Sequence, residues 1–245
     1  MLYKTKYNLE GSYEKHKNEI EINSESSTYV SECREFKSQY GSYNIFNDDI
    51  TCKKVMIYLN FIGSYGLKST YNDSRCKYLY YWIYEDLLKK NNNYDEAFKF
   101  YTIFLTAYFD NEGDDPHICK KYKEESEKIV LEKSAKLIEL YETFNNNGER
   151  FNCDCAKKCS ELYTKYVKEF NNDSDYDFCI ELENFKHKYE EKVKSIESSC
   201  DAEKILPSVI KHDKLAIEQG LGNIITTIII LTILFFLLFV LYKVK

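Results

Sequence analysis

Cysteine is the residue type here with the widest chemical range, and its nine copies are Cys33, Cys52, Cys76, Cys119, Cys153, Cys155, Cys159, Cys179 and Cys200. Thiols at this density can pair as disulfides, ligate a soft metal, or sit reduced in an apolar core. Disulfides are the leading expectation. Cys52, Cys76, Cys119, Cys153, Cys179 and Cys200 fall near the ends of helical stripes, where a bridge staples neighbouring elements. Each native bridge would contribute about 2–4 kcal/mol. Nine is odd, so at least one thiol stays free or joins two chains; spacing does not set the pairing. A zinc reading rests on Cys153, Cys155 and Cys159 as Cys-x-Cys-x-x-x-Cys, and on His117 with Cys119. Those spacings lack the paired Cys-x-x-Cys ligands of common structural zinc modules, so the sequence predicts no metal site and no cofactor.

Other chemistry is thinly represented. The chain has no phosphate-binding Gly-x-x-x-x-Gly-Lys-Ser/Thr, no His-Glu-x-x-His, no Gly-x-Ser-x-Gly and no Gly-x-Gly-x-x-Gly after a strand. Gly220-Leu221-Gly222 reads as a flexible joint. His16, His117, His187 and His212 lie among lysines and acids, which predicts solvated imidazoles. Carboxylates alternate with lysines on helix surfaces, and no pair is set apart for acid–base work. No catalytic residue and no small-molecule substrate are expected, and the chain does not read as an enzyme. Asn72-Asp73-Ser74 and Asn172-Asp173-Ser174 match the glycosylation pattern, but Ser74 and Ser174 read better as helix caps. The run Tyr78-Leu79-Tyr80-Tyr81-Trp82-Ile83-Tyr84 is aromatic on more than one helix face. It is either a central helix touching others on several sides or an exposed contact surface; the core reading is preferred.

The elements that must carry these residues read as helices. Tyr29, Cys33, Phe36 and Tyr40 make one stripe. Asp48 and Asp49 cap a second, carrying Cys52, Val55, Met56, Leu59 and Ile62. Asp73 or Ser74 caps a third through Leu87, and Asn91-Asn92-Asn93 breaks it. A fourth runs from Tyr94 to Tyr108. After the turn at Gly113–Pro116 a longer helix is expected from Cys119 to Phe144, stopped by Asn145-Asn146-Asn147-Gly148. Cys153 and Cys155 lead into a helix reaching Phe170, and a last soluble helix spans Cys179 to Cys200. No alternating strand pattern of useful length and no internal repeat appear.

Eight glycines and two prolines are few for sheets and tight turns, which agrees with helices joined by polar loops. Aromatics at 16% argue against disorder. A net charge of −6 argues against nucleic acid, which needs a basic surface. From Gln219 to Tyr242 no side chain is charged, and about 20 residues suffice to cross a bilayer as a helix. The expected fold is therefore all-α: a multi-helix, cysteine-containing domain followed by one C-terminal transmembrane helix. The expected organisation is a polar arm (1–25), a helical domain (26–206), a juxtamembrane linker (207–220), the anchor (221–242) and a short tail (243–245). The bilayer is the partner of the anchor. Lysines flank the anchor on both sides, so charge does not orient it. The polar first 25 residues show no signal peptide, which leaves sidedness to the cysteines.

The segment Arg75-Cys76-Lys77-Tyr78-Leu79-Tyr80-Tyr81-Trp82-Ile83-Tyr84 resembles the Cys-x-Tyr-Leu-x-Tyr-Trp-Leu-type motif of the Plasmodium interspersed repeat superfamily, the Vir proteins in particular. Scattered cysteines, abundant Asn, Lys, Tyr and Ile, and the apolar run ending Leu241-Tyr242-Lys243 are similar too. The resemblance implies a helical, disulfide-bearing variant surface antigen of a malaria parasite, exported to the infected erythrocyte membrane. It implies roles in immune evasion and adhesion, with a host surface receptor or antibody as partner, and Tyr78, Tyr81 and Trp82 as the motif aromatics. Family members commonly continue past the anchor with a Phe-Thr-Pro-like stretch and a tail, where this sequence has Lys243, Val244 and Lys245. Two other readings compete: a tail-anchored helical organiser at an intracellular membrane, and a membrane-tethered zinc-binding protein.

Overall fold

The computed structural model describes residues 5–7, 12–22, 30–41, 49–64, 70–89, 93–111, 118–145, 150–170, 174–196, 199–209, 229–230 and 232–233. Eight α-helices are described: α1 (Tyr13–Ile22), α2 (Val30–Tyr40), α3 (Asp49–Ser64), α4 (Thr70–Trp82), α5 (Tyr94–Asn111), α6 (Lys128–Asn145), α7 (Cys153–Glu169) and α8 (Tyr176–Val193). There is no strand among the described residues, so the all-α expectation holds for them.

Helices α4 and α6 pack on one another as the central pair. Helices α1, α3 and α5 gather around α4, while α7 and α8 pack on α6. The aromatic run on α4 lies inside this assembly. Tyr78, Leu79, Tyr80, Tyr81, Trp82, Ile83 and Tyr84 are all buried, which is why the segment is apolar on every face. Beyond Trp82 the helix widens into a π turn, Ile83–Leu87, closed by the Leu88 N–H on the Ile83 carbonyl at 3.0 Å. Lys89 then ends it with a left-handed backbone, φ 52°.

Local signals place several helix starts. The Asn93 side chain accepts from the Glu96 N–H at 2.9 Å and donates to the Glu96 carboxylate at 3.3 Å, so the residue that closes the Asn run also caps α5. Asn152 caps α7 by accepting from the Cys155 N–H at 2.9 Å.

Five expectations are corrected. The stretch read as a polar arm holds α1, with Tyr7, Tyr13, His16 and Ile20 buried; its stripe of Tyr13, His16 and Ile20 is hidden by intervening charges. Helix α4 begins at Thr70, so Asp73 and Ser74 lie within it rather than capping it. The long helix expected from Cys119 is broken: Cys119 has φ 52°, two 3-10 turns cover Lys120–Lys123 and Glu125–Glu127, and α6 starts only at Lys128. Helix α8 ends at Val193, short of Cys200, and its N-cap is Asp175 rather than Ser174. Residues 199–209, whose end was read as linker, are strapped across α7 and α8.

The expected anchor, 221–242, lies outside the described residues except for Ile229–Ile230 and Thr232–Ile233. Those are helical, with exposed isoleucines and a Thr232 hydroxyl donating to the Ile229 carbonyl at 2.8 Å. No helix among the described residues is long and apolar enough to cross a membrane.

Candidate functional site

Six of the nine cysteines form bridges: Cys33–Cys52, Cys76–Cys119 and Cys153–Cys200. The first joins α2 to α3. The second ties α4 to the left-handed residue before the 3-10 turns, and the third ties the first turn of α7 to the strap. Cys155, Cys159 and Cys179 lie outside these bridges. Each zinc set read from spacing loses a ligand to a bridge, Cys153 in one and Cys119 in the other; His117 lies outside the described residues. Cys155 and Cys159 are buried one turn apart on α7, and the Cys155 thiol donates to the Thr143 carbonyl at 3.0 Å. A hydrogen bond from Cys159 holds the Cys155 thiol below its ordinary range, and the same bond together with burial drives Cys159 up.

The motif aromatics are structural. The Tyr81 hydroxyl donates to Glu142 on α6. Tyr78 sits 5.9 Å from the His16 ring and 6.0 Å from Tyr81, centroid to centroid. Trp82 is covered by the Lys54 ammonium at 5.6 Å from its ring. An exposed aromatic contact surface at this run is therefore ruled out.

What the sequence reading missed is a set of buried charges around α4. Arg75, on the turn below the motif, is 2% exposed and forks onto Glu19 of α1 at 2.9 Å and 2.8 Å. His16 of α1, expected in solvent, is fully buried. Its Nδ1 lies 2.9 Å from Glu19 and its Nε2 2.8 Å from the Ser74 hydroxyl. Burial pushes the His16 imidazole below its ordinary range. Burial alone would raise Glu19, but the hydrogen bonds from Arg75 and His16 outweigh it and hold the carboxyl low. Serine, imidazole and carboxylate in series resemble a nucleophilic triad. Here, however, Arg75 already neutralises the carboxylate, and the serine hydroxyl faces the buried imidazole in a residue only 8% exposed. The array works as a latch between α1 and α4.

A second node surrounds Lys77, which is 1% exposed. Asp73 meets its ammonium at 2.5 Å, Lys121 at 2.5 Å and the Tyr122 hydroxyl at 2.5 Å, beside the Cys76–Cys119 bridge. Lys77 also donates to the Lys6 carbonyl, which draws the N-terminal residues onto α4. Those residues clamp α8 as well: Tyr7 donates to Asp175 at 2.5 Å, and Thr5 donates to Glu181. Asp175 further receives Lys133 at 3.1 Å. Lys136 sits against Tyr94 and Phe170, 4.8 Å and 4.6 Å from their centroids, and pairs with Glu132 and Glu169.

An open groove of about 650 Å³ lies between α7 and the strap. Lys157, Glu161, Lys165 and Lys168 of α7 face Asp201 and Glu203 across it. The strap is held by the Cys153–Cys200 bridge, by Tyr163 donating to the Pro207 carbonyl at 2.9 Å, and by Tyr189 donating to the Glu203 carbonyl at 2.6 Å. The charged side chains around the groove are of both signs. Of the remaining predicted histidines, His187 is exposed and His212 lies outside the described residues.

No protein-family model, curated protein or solved structure matches this chain.

Proposed function

We propose that this chain is a membrane-anchored variant surface antigen of a malaria parasite, a disulfide-stapled helical domain that serves immune evasion or adhesion to a host receptor and performs no catalysis. The observation that carries the reading is the set of three bridges, each tying segments far apart in sequence. Bridges of that kind persist in oxidising surroundings and are rare where glutathione keeps thiols reduced. The apolar run 221–242 supports an anchor, and the motif from Cys76 to Tyr84 supports the Vir-like assignment. In this reading the rigid bridged core presents α-helical surfaces to antibody or receptor, while the motif aromatics hold the frame.

Two measurements test it together. Alkylation in denaturant, before and after reduction, should block three thiols first and six more afterwards. Protease shaving of intact infected cells should remove the part preceding Pro207. Nine free thiols with a protected domain would overturn the reading in favour of a tail-anchored organiser inside the cell.

A further inference from the structure

Two of the unbridged cysteines stand one turn apart on α7, with Cys155 4% exposed and Cys159 fully buried. Their thiols hydrogen-bond to each other, yet the helix keeps them from pairing. Cβ atoms one turn apart on a helix are about 5–6 Å from one another, and a disulfide needs about 3.5–4.5 Å. Opposite them α6 ends. The Cys155 sulfur lies 3.0 Å from the Thr143 carbonyl oxygen and 3.6 Å from the Phe144 carbonyl oxygen. Both carbonyls belong to the last turn of α6, where no N–H of the same helix remains to meet them and the helix dipole adds negative charge. Two sulfurs on α7 thus meet two oxygens on α6. We infer that this junction is a metal site, in which the Cys155 and Cys159 thiolates and the Thr143 and Phe144 carbonyl oxygens hold one zinc-class divalent ion.

The donor set suits such an ion. Zinc takes sulfur at about 2.3 Å and oxygen at about 2.0–2.2 Å in a tetrahedron, so a sulfur and an oxygen bound to it stand about 3.6 Å apart. The Phe144 oxygen is already at 3.6 Å from Cys155, and the Thr143 oxygen at 3.0 Å has only to back away slightly. Calcium and magnesium take oxygen ligands, so the sulfurs select against them. Two thiolates cancel the two charges of the ion, and the buried site carries no net charge. A Cys155 thiolate by itself would face two carbonyl oxygens; the ion between them turns that repulsion into coordination. Binding breaks two S–H bonds, forms two sulfur–metal bonds and releases two protons to solvent. No electron moves, and the three bridges stay closed. The zinc set read from spacing used Cys153 as its third sulfur; the end of another helix supplies the remaining donors instead.

Cobalt(II) is the probe, titrated without reductant into the full detergent-solubilised chain after chelation has stripped it of metal. One equivalent should bind, with thiolate-to-cobalt charge-transfer bands. Cys155→Ser and Cys159→Ser should each weaken uptake at least about tenfold. Cys179→Ser, which removes the unbridged cysteine of α8, should leave uptake unchanged. A second readout needs no variant: in the native wild-type chain, zinc should slow alkylation of Cys155 and Cys159, mapped by peptide mass, at least about tenfold, and magnesium should not. A wild-type chain without the charge-transfer bands overturns the site, as do bands that survive in either Cys155→Ser or Cys159→Ser, or that vanish in Cys179→Ser. Equal alkylation with and without zinc overturns it as well.

Discussion

Arg75 carries its charge at 2% exposure, and the carboxylate that neutralises it comes from another helix, 56 residues away in sequence. Breaking such a pair leaves a buried charge without a counterion, which costs more than the pair contributes. Glu19→Gln should therefore destabilise the chain by about 3 kcal/mol in urea unfolding, and the double change Glu19→Leu with Arg75→Met should recover most of that. A loss below about 1 kcal/mol for the single change would mean that water reaches the guanidinium. Gly63 is a second sensitive point. A Cβ there would come within 2.6 Å of the Ile118 Cδ1, so this buried side chain must shift to admit it. Gly63→Ala should cost about 1–3 kcal/mol, read as a lower melting temperature.

Among the elements, α1 matters most relative to its legibility. Its residues supply Glu19 to Arg75 and His16 to Ser74, and the residues just before it supply the Lys6 carbonyl to Lys77 and Tyr7 to Asp175. Removing residues 1–22 strips partners from several buried groups at once. We expect that truncation to abolish the cooperative thermal transition; a truncated chain that still melts cooperatively would show α1 to be an ornament on the frame. The 3-10 segment depends on its bridge in a similar way. Cys119 is left-handed, a conformation unfavourable for a residue with a Cβ, and the bond to Cys76 holds it there. Replacing both cysteines by serine should cost about 2–4 kcal/mol, with hydrogen exchange rising first at residues 118–127.

For the whole molecule, the buried titratable groups set the pH window. Desolvation pushes Tyr58, Tyr78, Tyr80, Tyr81, Tyr101 and Tyr122 above their ordinary value of 10.0. A raised value means that the fold keeps protons the unfolded chain releases, so this stability is intact below pH 10 and is lost as pH rises beyond it. The tyrosinate absorbance of these six rings should therefore appear in one cooperative step together with helix loss, rather than gradually. On the acid side, Glu19, Asp73 and Asp175 are held low because their cationic and hydrogen-bonding partners outweigh burial. Their contribution is present above the ordinary carboxylate range and is lost as pH falls through the folded values. His16 acts earlier: burial keeps it neutral, so unfolding is favoured as pH drops below its ordinary 6.5. The unfolding free energy should thus begin to fall below about pH 6.5 and steepen below about 4, and His16→Gln should remove the first phase.

The sequence alone determined what depends on neighbours a turn or two away. Apolar stripes placed α2, α3, α5 and α7 to within a few residues. The aromatic run identified the buried helix α4, because a segment apolar on every face has nowhere to go but the interior. The cysteine density foretold disulfides. Only the tertiary structure decided which cysteines pair, since the partners stand 19, 43 and 47 residues apart and their meeting depends on how the helices pack. The same holds for α1 and for the buried charges. A histidine between lysines reads as solvated until another helix supplies the Ser74 hydroxyl that meets it, and the burial of Arg75 becomes tolerable only because Glu19 comes from another helix. The break at Cys119 was hidden for a related reason: a left-handed residue held by a distant sulfur leaves no mark on local periodicity.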